Sequence, residues 1–249
     1  MSDSITYQIH SKDPSNYGTV SFSPDIPWNT HKVEYRVTNV NTFSNFLITT
    51  ADDYIKIKVQ RDTGTKEYFY TNFVEKTSYE IEEVITMFNE LFTEANVTVE
   101  LTESNVLRFS SNFDFSITEC SHRIKLLIGA YHMKLPIHST DTELEIASTP
   151  MLSYGNVLYL KSQQGNAMGV IIENGKYHAP CIYRINSFLK PGLPLICDKK
   201  GDKVVTNAES AKVITMQLVD FMYEPVIIKS PMFVTIKINV IPHATYNYN

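Results

Sequence analysis

The densest group of side chains that could hold a metal ion begins at Cys120. His122 lies two residues further on, and His132 and His138 follow within the next sixteen residues of the chain. A structural zinc site uses four Cys or His ligands, commonly supplied as two close pairs. This spacing matches no such arrangement. The sequence therefore predicts a buried cysteine beside a helix cap, solvent-facing histidines and no metal site.

A second pattern, His178-Ala-Pro-Cys181, places a possible base close to a thiol. Cysteine nucleophiles need a base and an electropositive, partly exposed pocket, and the base is usually distant in sequence. Because Pro180 lies between the two residues, the pattern favours a turn or an edge strand. The segment Gly165-Asn-Ala-Met-Gly169 lacks the Lys-Ser/Thr of a P-loop and the third glycine of a dinucleotide fingerprint, so it predicts a hairpin turn.

Acidic side chains could bind calcium or perform acid–base chemistry at two places. Asp52-Asp53 form a pair, and Asp141, Glu143 and Glu145 form a run. Neither has the spacing of an EF-hand, so both predict solvated loops. The sequence thus predicts no catalytic, metal-binding or cofactor-binding residue and no cofactor, and it predicts that the protein is not an enzyme.

Composition restricts the remaining classes. The chain has 249 residues, of which 43% are hydrophobic and 20% charged, and this excludes a disordered chain. The net charge of −5 argues against direct nucleic-acid binding. Aromatic residues make up 12% of the chain, which favours strands. Three cysteines, an odd number without a C-x-x-C pair, indicate reduced thiols: Cys120, Cys181 and Cys197.

The elements that must position these residues are mostly strands. Apolar residues alternate in Val33–Val37 and Ile55–Val59, which is the period of a half-buried strand. Residues 80–95 instead carry an apolar stripe at helical spacing, with a capping-box pattern at Thr77 and Glu80. A short helix is predicted at about 121–128, with Ser121 as N-cap and Gly129 as its stop.

About a dozen strands separated by turn signals predict a mainly β fold of jelly-roll or β-sandwich type, with one amphipathic helix (about 80–95) and one short helix (about 121–128). Residues 1–28 are expected to form an extended N-terminal arm with at most one strand, Thr19–Ser23. Residues 29–242 are expected to form a single jelly-roll-type β domain, with an inserted or second β subdomain left open. Residues 138–150 predict a surface loop, and 243–249 a flexible tail. Neither a secretory leader nor a membrane span is predicted.

Three stretches resemble, in the same order, penton-type minor capsid proteins of Polinton (Maverick) elements, virophages and related DNA viruses. The first is the helix segment from Ser78 to Leu91, in which Tyr79, Val84, Ile85 and Asn89 match the family pattern. The second is Ser121 to Ala130. The third comprises the strand Val157–Leu160 and the closing pair of strands, Val213–Asp220 and Phe233–Val240.

This resemblance implies a structural protein that forms homopentamers at the fivefold vertices of an icosahedral capsid. Its partners would be further copies of itself and a neighbouring major capsid protein, and its location the virion. The resemblance assigns no subunit-interface residues.

Two alternatives remain open. A single-jelly-roll shell protein of a small virus would carry a basic inner arm, whereas Lys12 is the one lysine or arginine in residues 1–28. A soluble β-sandwich module that binds a ligand or receptor would expose aromatic side chains, for which Trp28, Tyr131 and Tyr154 are candidates.

Overall fold

The computed structural model describes residues 4–15, 17–27, 30–154, 157–162, 166–167, 171–173, 176–178, 181–186 and 191–242. Contacts within the chain define two compact units. We call Met1–Phe46 with Gly155–Asn249 the discontinuous unit, and Leu47–Tyr154 the inserted unit. The second interrupts the sequence of the first.

The described residues of the discontinuous unit form two antiparallel sheets and a hairpin. Strands are numbered along the chain. The larger sheet has the order β1 (Ser4–His10), β19 (Phe233–Pro242), β3 (Thr30–Phe43), β17 (Val204–Asn207), β12 (Asn166–Ala167), with β16 (Pro194–Asp198) also paired to β3. The smaller sheet has the order β15 (Cys181–Asn186), β11 (Val157–Ser162), β18 (Ile214–Val219), β2 (Thr19–Phe22). The hairpin joins β13 (Ile171–Glu173) to β14 (Lys176–His178).

The two sheets of this unit face each other across a buried layer. Tyr35 on β3 is 1% exposed, and its hydroxyl hydrogen-bonds Ser162 on β11. The ring of Tyr7 on β1 lies 5.5 Å from that of Phe22 on β2. Apolar side chains from both sheets fill the space between, as expected of a β-sandwich.

The inserted unit combines two smaller antiparallel sheets with the two α-helices found among the described residues. One sheet has the order β5 (Gly64–Tyr70), β4 (Ile55–Arg61), β8 (Phe115–Cys120), β9 (Ile137–His138); the other has β10 (Glu143–Glu145), β7 (Leu107–Ser111), β6 (Val97–Leu101). The helices are α1 (Ile81–Leu91), followed by a 3₁₀ turn at Thr93–Ala95, and α2 (His122–Leu127). The ring of Phe88 in α1 stacks 5.3 Å from that of Phe92, the C-cap of this helix, in the core. None of the helices in the described part of the chain is long and apolar enough to cross a membrane.

The predicted fold class is confirmed: the chain is mainly β, with antiparallel sheets of β-sandwich type and helices at both predicted places. The capping of α1 was predicted wrongly. Glu80 is itself the N-cap, and its backbone N–H donates a hydrogen bond to the Glu83 carboxylate at 3.1 Å. Ser121 does cap α2, and Gly129 ends it with φ +81°. A side chain at Gly129 would meet the carbonyl oxygen of Ser148, since a Cβ would lie 2.0 Å from it.

Strands were under-predicted where pairing partners are distant in sequence. Residues 1–28 contain two strands, not at most one, because β1 pairs along its length with β19. The loop predicted at 138–150 contains β10, which pairs with β7. The tail 243–249 lies outside the described residues, as do Gly165 and Gly169 of the predicted turn. The assignment of one domain or two stays a prediction.

Candidate interaction surface

The structure does not bring Cys120, His122, His132 and His138 together in one cluster of candidate metal ligands. No group of three or more His, Cys, Asp or Glu side chains suited to a metal ion occurs among the described residues. Burial raises the pKa of the Cys120 thiol to about 12. Since cysteine binds metals as the thiolate, this environment disfavours ligation. His132 and His138 are exposed, and His122 is half-buried.

The prediction that Asp52 and Asp53 are both solvated was wrong for one of the two. Asp52 is exposed, but Asp53 is fully buried. Its carboxylate accepts hydrogen bonds from Arg123 Nε at 2.9 Å, from Ser121 Oγ at 2.6 Å and from the backbone N–H of Thr50 at 2.6 Å. This network ties the start of α2 to the segment before β4, so Asp53 is a structural residue. No sequence signal separated it from its neighbour.

The other chemical candidates are dispersed. Asp141, Glu143 and Glu145 are exposed, and Glu145 pairs with Arg108 at 3.1 Å. The backbone of His178 is in β14 and that of Cys181 in β15, while their side chains lie outside the described part. Of the loop aromatics, Tyr154 is buried and Tyr131 half-buried, and Trp28 lies outside the described residues.

Two of the residues that carry the family resemblance hold α1 in place. The Asn89 side chain donates to the carbonyl of Val99 at 3.0 Å and accepts from its N–H at 2.7 Å, so it pairs with β6 as another strand would. The Tyr79 hydroxyl lies 2.9 Å from Thr49 Oγ1, and its ring is buried. Both roles are structural and stay within the inserted unit.

A surface of a different kind lies on the larger sheet of the discontinuous unit. Its strands alternate between buried and exposed residues, so one face packs on the core and the other faces outward. Four large apolar side chains on and beside β3, β16 and β19 are between 46% and 70% exposed; this apolar cluster consists of Phe43, Leu193, Ile196 and Phe233.

The register of the strands explains why the cluster is contiguous. Asn41 on β3 lies opposite Ile196 on one side and Phe233 on the other, and Phe233 lies opposite His10 on β1. Directly opposed residues share a face of the sheet, so these four form one outward row. The rings of His10 and Phe233 are 5.9 Å apart. The Oδ1 atom of Asn41 is buried within the row and accepts no hydrogen bond among the described residues.

A depression of about 370 Å³ lies beside this row, where β1 meets β19 and β3; its lining includes Gln8, His10, Asn41, Phe233 and Thr235. Contiguous exposed apolar patches often mark binding surfaces. The arrangement has neither a nucleophile nor a pair of acids, and it suits contact with another surface. Sequence reasoning missed it, because the patch combines residues from four strands distant in the chain.

Comparison with solved structures finds distant likenesses. The crystal structure of the mavirus penton protein matches with a TM-score of 0.42 and 9% sequence identity, over 96% of this chain and 100% of that chain. No protein-family model matches the sequence, and no curated protein does. A likeness at this TM-score defines neither a shared fold nor a shared function.

Proposed function

We propose that this protein is a structural capsid protein of penton type, which forms homopentamers at the fivefold vertices of an icosahedral shell. The observation that carries self-association is the exposed apolar cluster on the outward face of the larger sheet. The capsid role rests on the three stretches of sequence that resemble penton-type proteins in the same order.

The physics of ring closure supports this reading. Five identical head-to-tail contacts close by symmetry and need no cofactor. Each contact would cover the apolar cluster, and burial of apolar surface contributes about 25 cal/mol per Å² removed from water. Aromatic side chains such as Phe43 and Phe233 are enriched at the centres of such contacts.

The proposal also names the partners of the pentamer and its location. Its partners are identical copies and a neighbouring major capsid protein, and its location is the virion. We propose no direct nucleic-acid contact, because the chain carries a net charge of −5. We propose no catalytic activity and no cofactor.

Native mass spectrometry tests the proposal directly. With a chain of 28.5 kDa, a pentamer has a mass of about 142 kDa. We expect that mass for the wild type, and we expect Phe233→Ser with Ile196→Ser to shift the protein to monomer while the chain stays folded, since both residues are exposed.

The matched control is Val74→Ser, because Val74 is 67% exposed, close to the 70% of Ile196, but lies in the inserted unit. This variant should remain pentameric. A trimer of the wild type would favour the single-jelly-roll shell protein instead. A monomer at high concentration would contradict self-assembly and favour the binding module.

A further inference from the structure

The outward face of the larger sheet carries positive charge beside the apolar cluster. Arg36 on β3 lies directly opposite Lys237 on β19. Both point outward, because their neighbours Tyr35 and Ile236 are buried. Like charges directly opposed across strands destabilise a sheet, so this pair opposes the folding of its own unit.

Two further lysines extend this positive surface. Arg36, Lys200, Lys203 and Lys237 line a depression of about 190 Å³, and we call these four residues the cationic group. Lys203 pairs with Glu34, which lines the same depression, at 2.9 Å. Within the described part of the chain, the other three cations form no ion pair. The depression therefore keeps a surplus of positive charge that the unit itself does not neutralise.

The inserted unit has the opposite charge. It contains 17 Asp and Glu against nine Lys and Arg, whereas the discontinuous unit contains 10 against 13. Their formal charges are thus −8 and +3, which together give the −5 of the chain.

One acidic site of the inserted unit is also unfavourable for its own helix. Glu90 lies in the last turn of α1 and Glu94 in the 3₁₀ turn that follows, near the negative end of the helix dipole, where a carboxylate is disfavoured. The last turn has no basic residue. Arg61 reaches this end but donates to the backbone carbonyl of Glu94 at 3.0 Å, and neither carboxylate forms an ion pair within the described structure. Both side chains are exposed.

We propose that the cationic group of one copy contacts the acidic end of α1, Glu90 and Glu94, of the next copy in the ring. This proposal rests on the self-assembly proposed above and names its electrostatic contact. The facing cations and the carboxylates at the end of the helix each destabilise the isolated chain. In this contact the opposite charges would neutralise each other. The apolar cluster on the same face would exclude water from the joint, which strengthens the attraction between opposite charges.

A second copy fits this surface better than a nucleic acid does. Binding to phosphates along a duplex needs an extended basic stripe. Here the basic side chains form one short group. Further along β3 and β19, the strands of Arg36 and Lys237, the outward residues are the apolar Phe43 and Phe233. An interface core that is apolar with charges beside it is the usual anatomy of a protein–protein contact.

Paired charge reversals test the contact. The variants are Arg36→Glu with Lys237→Glu, Glu90→Lys with Glu94→Lys, and the combination of all four. We expect each pair to convert the pentamer to monomer in native mass spectrometry at about 0.15 M salt. The combination should restore the pentamer, because the two substituted pairs would again carry charges of opposite sign.

Controls reverse the same number of charges elsewhere. Lys12→Glu with Lys212→Glu changes the discontinuous unit, and Asp62→Lys with Glu103→Lys changes exposed turns of the inserted unit. Both should remain pentameric. Melting temperatures of all variants establish that the chains are folded.

Four results would overturn the inference. If the reversals leave the pentamer intact while Phe233→Ser with Ile196→Ser dissolves it, self-assembly stands and the charge contact is wrong. If either pair dissolves the ring and the combination does not restore it, the two groups do not meet. If the wild type binds a DNA duplex and Arg36→Glu with Lys237→Glu abolishes that binding but not the ring, the occupant is phosphate. A monomeric wild type would overturn both proposals.

Discussion

The two units of this chain build their buried cores from different secondary structure and from differently connected segments. The inserted unit is continuous in sequence, contains both described helices and carries a charge of −8. The discontinuous unit is built of strands and short 3₁₀ structure, closes by pairing β1 and β3 with β19 from the far end of the chain, and carries +3. Six of the eight exposed large apolar side chains among the described residues belong to it.

The two units differ in how many large apolar side chains they leave exposed, beyond those that their cores need. The inserted unit covers its large apolar side chains well, since Phe69 and Val74 are the two that it leaves exposed. The discontinuous unit has an equally buried core but leaves Phe43, Ile196 and Phe233 on its outward face. A core that is complete without these residues does not need them for stability, so their exposure is best explained by a contact with another surface.

The largest effect is expected in the aromatic core of the inserted unit. Phe88 is fully buried and stacks on Phe92, so Phe88→Asp places an unpaired charge among aromatic rings. We expect loss of soluble expression. The control is Phe69→Asp, since Phe69 is 58% exposed and should tolerate the change. Wild-type yield and melting temperature for Phe88→Asp would contradict the packing described for α1.

A smaller effect is expected from the buried ion pair of the same unit. Asp53→Asn keeps the shape of the side chain but removes the anion that pairs with Arg123. The Arg123 side chain is only 17% exposed. Loss of one partner from a buried pair costs about 3 kcal/mol. Urea unfolding should show this loss for Asp53→Asn and almost none for Asp52→Asn, because Asp52 is exposed. Equal midpoints for the two variants would show that the network is not stabilising.

The smallest effect is expected in the discontinuous unit. The Tyr183 hydroxyl donates to the carbonyl of Cys197 at 2.8 Å, and Tyr183→Phe removes that bond at a cost of about 1 kcal/mol. The pKa of Tyr183 is raised from its ordinary value of 10 to about 12, and burial of the phenol is the main cause.

A pH series gives the same residue a second readout. Because the folded state holds the phenol proton more tightly than the unfolded state does, this stability is complete below pH 10 and is lost as pH rises from about 10 to about 12. Tyr183→Phe should therefore reduce the loss of stability above pH 10. An unchanged pH profile in this variant would show that Tyr183 does not contribute to it.

The sequence by itself determined what depends on neighbouring residues. The apolar residues from Ile81 to Leu91 recur at helical spacing and form α1. Ser121 and Gly129 bound α2, and the alternating segment Ile55–Val59 lies in β4. Each signal lies within a few residues, so the local period and the conformational preference of one residue are sufficient to predict it.

Tertiary structure decided what depends on residues far apart in the chain. The pairing of β1 with β19 joins residues more than 220 positions apart, and no local pattern encodes that choice. Asp52 and Asp53 are identical in type, yet only the packing of α2 buries one of them against Arg123. The apolar cluster and the facing pair Arg36 and Lys237 likewise exist only once strand register brings them side by side. The physical reason is that burial and charge proximity are properties of three-dimensional neighbours, which the linear sequence does not fix.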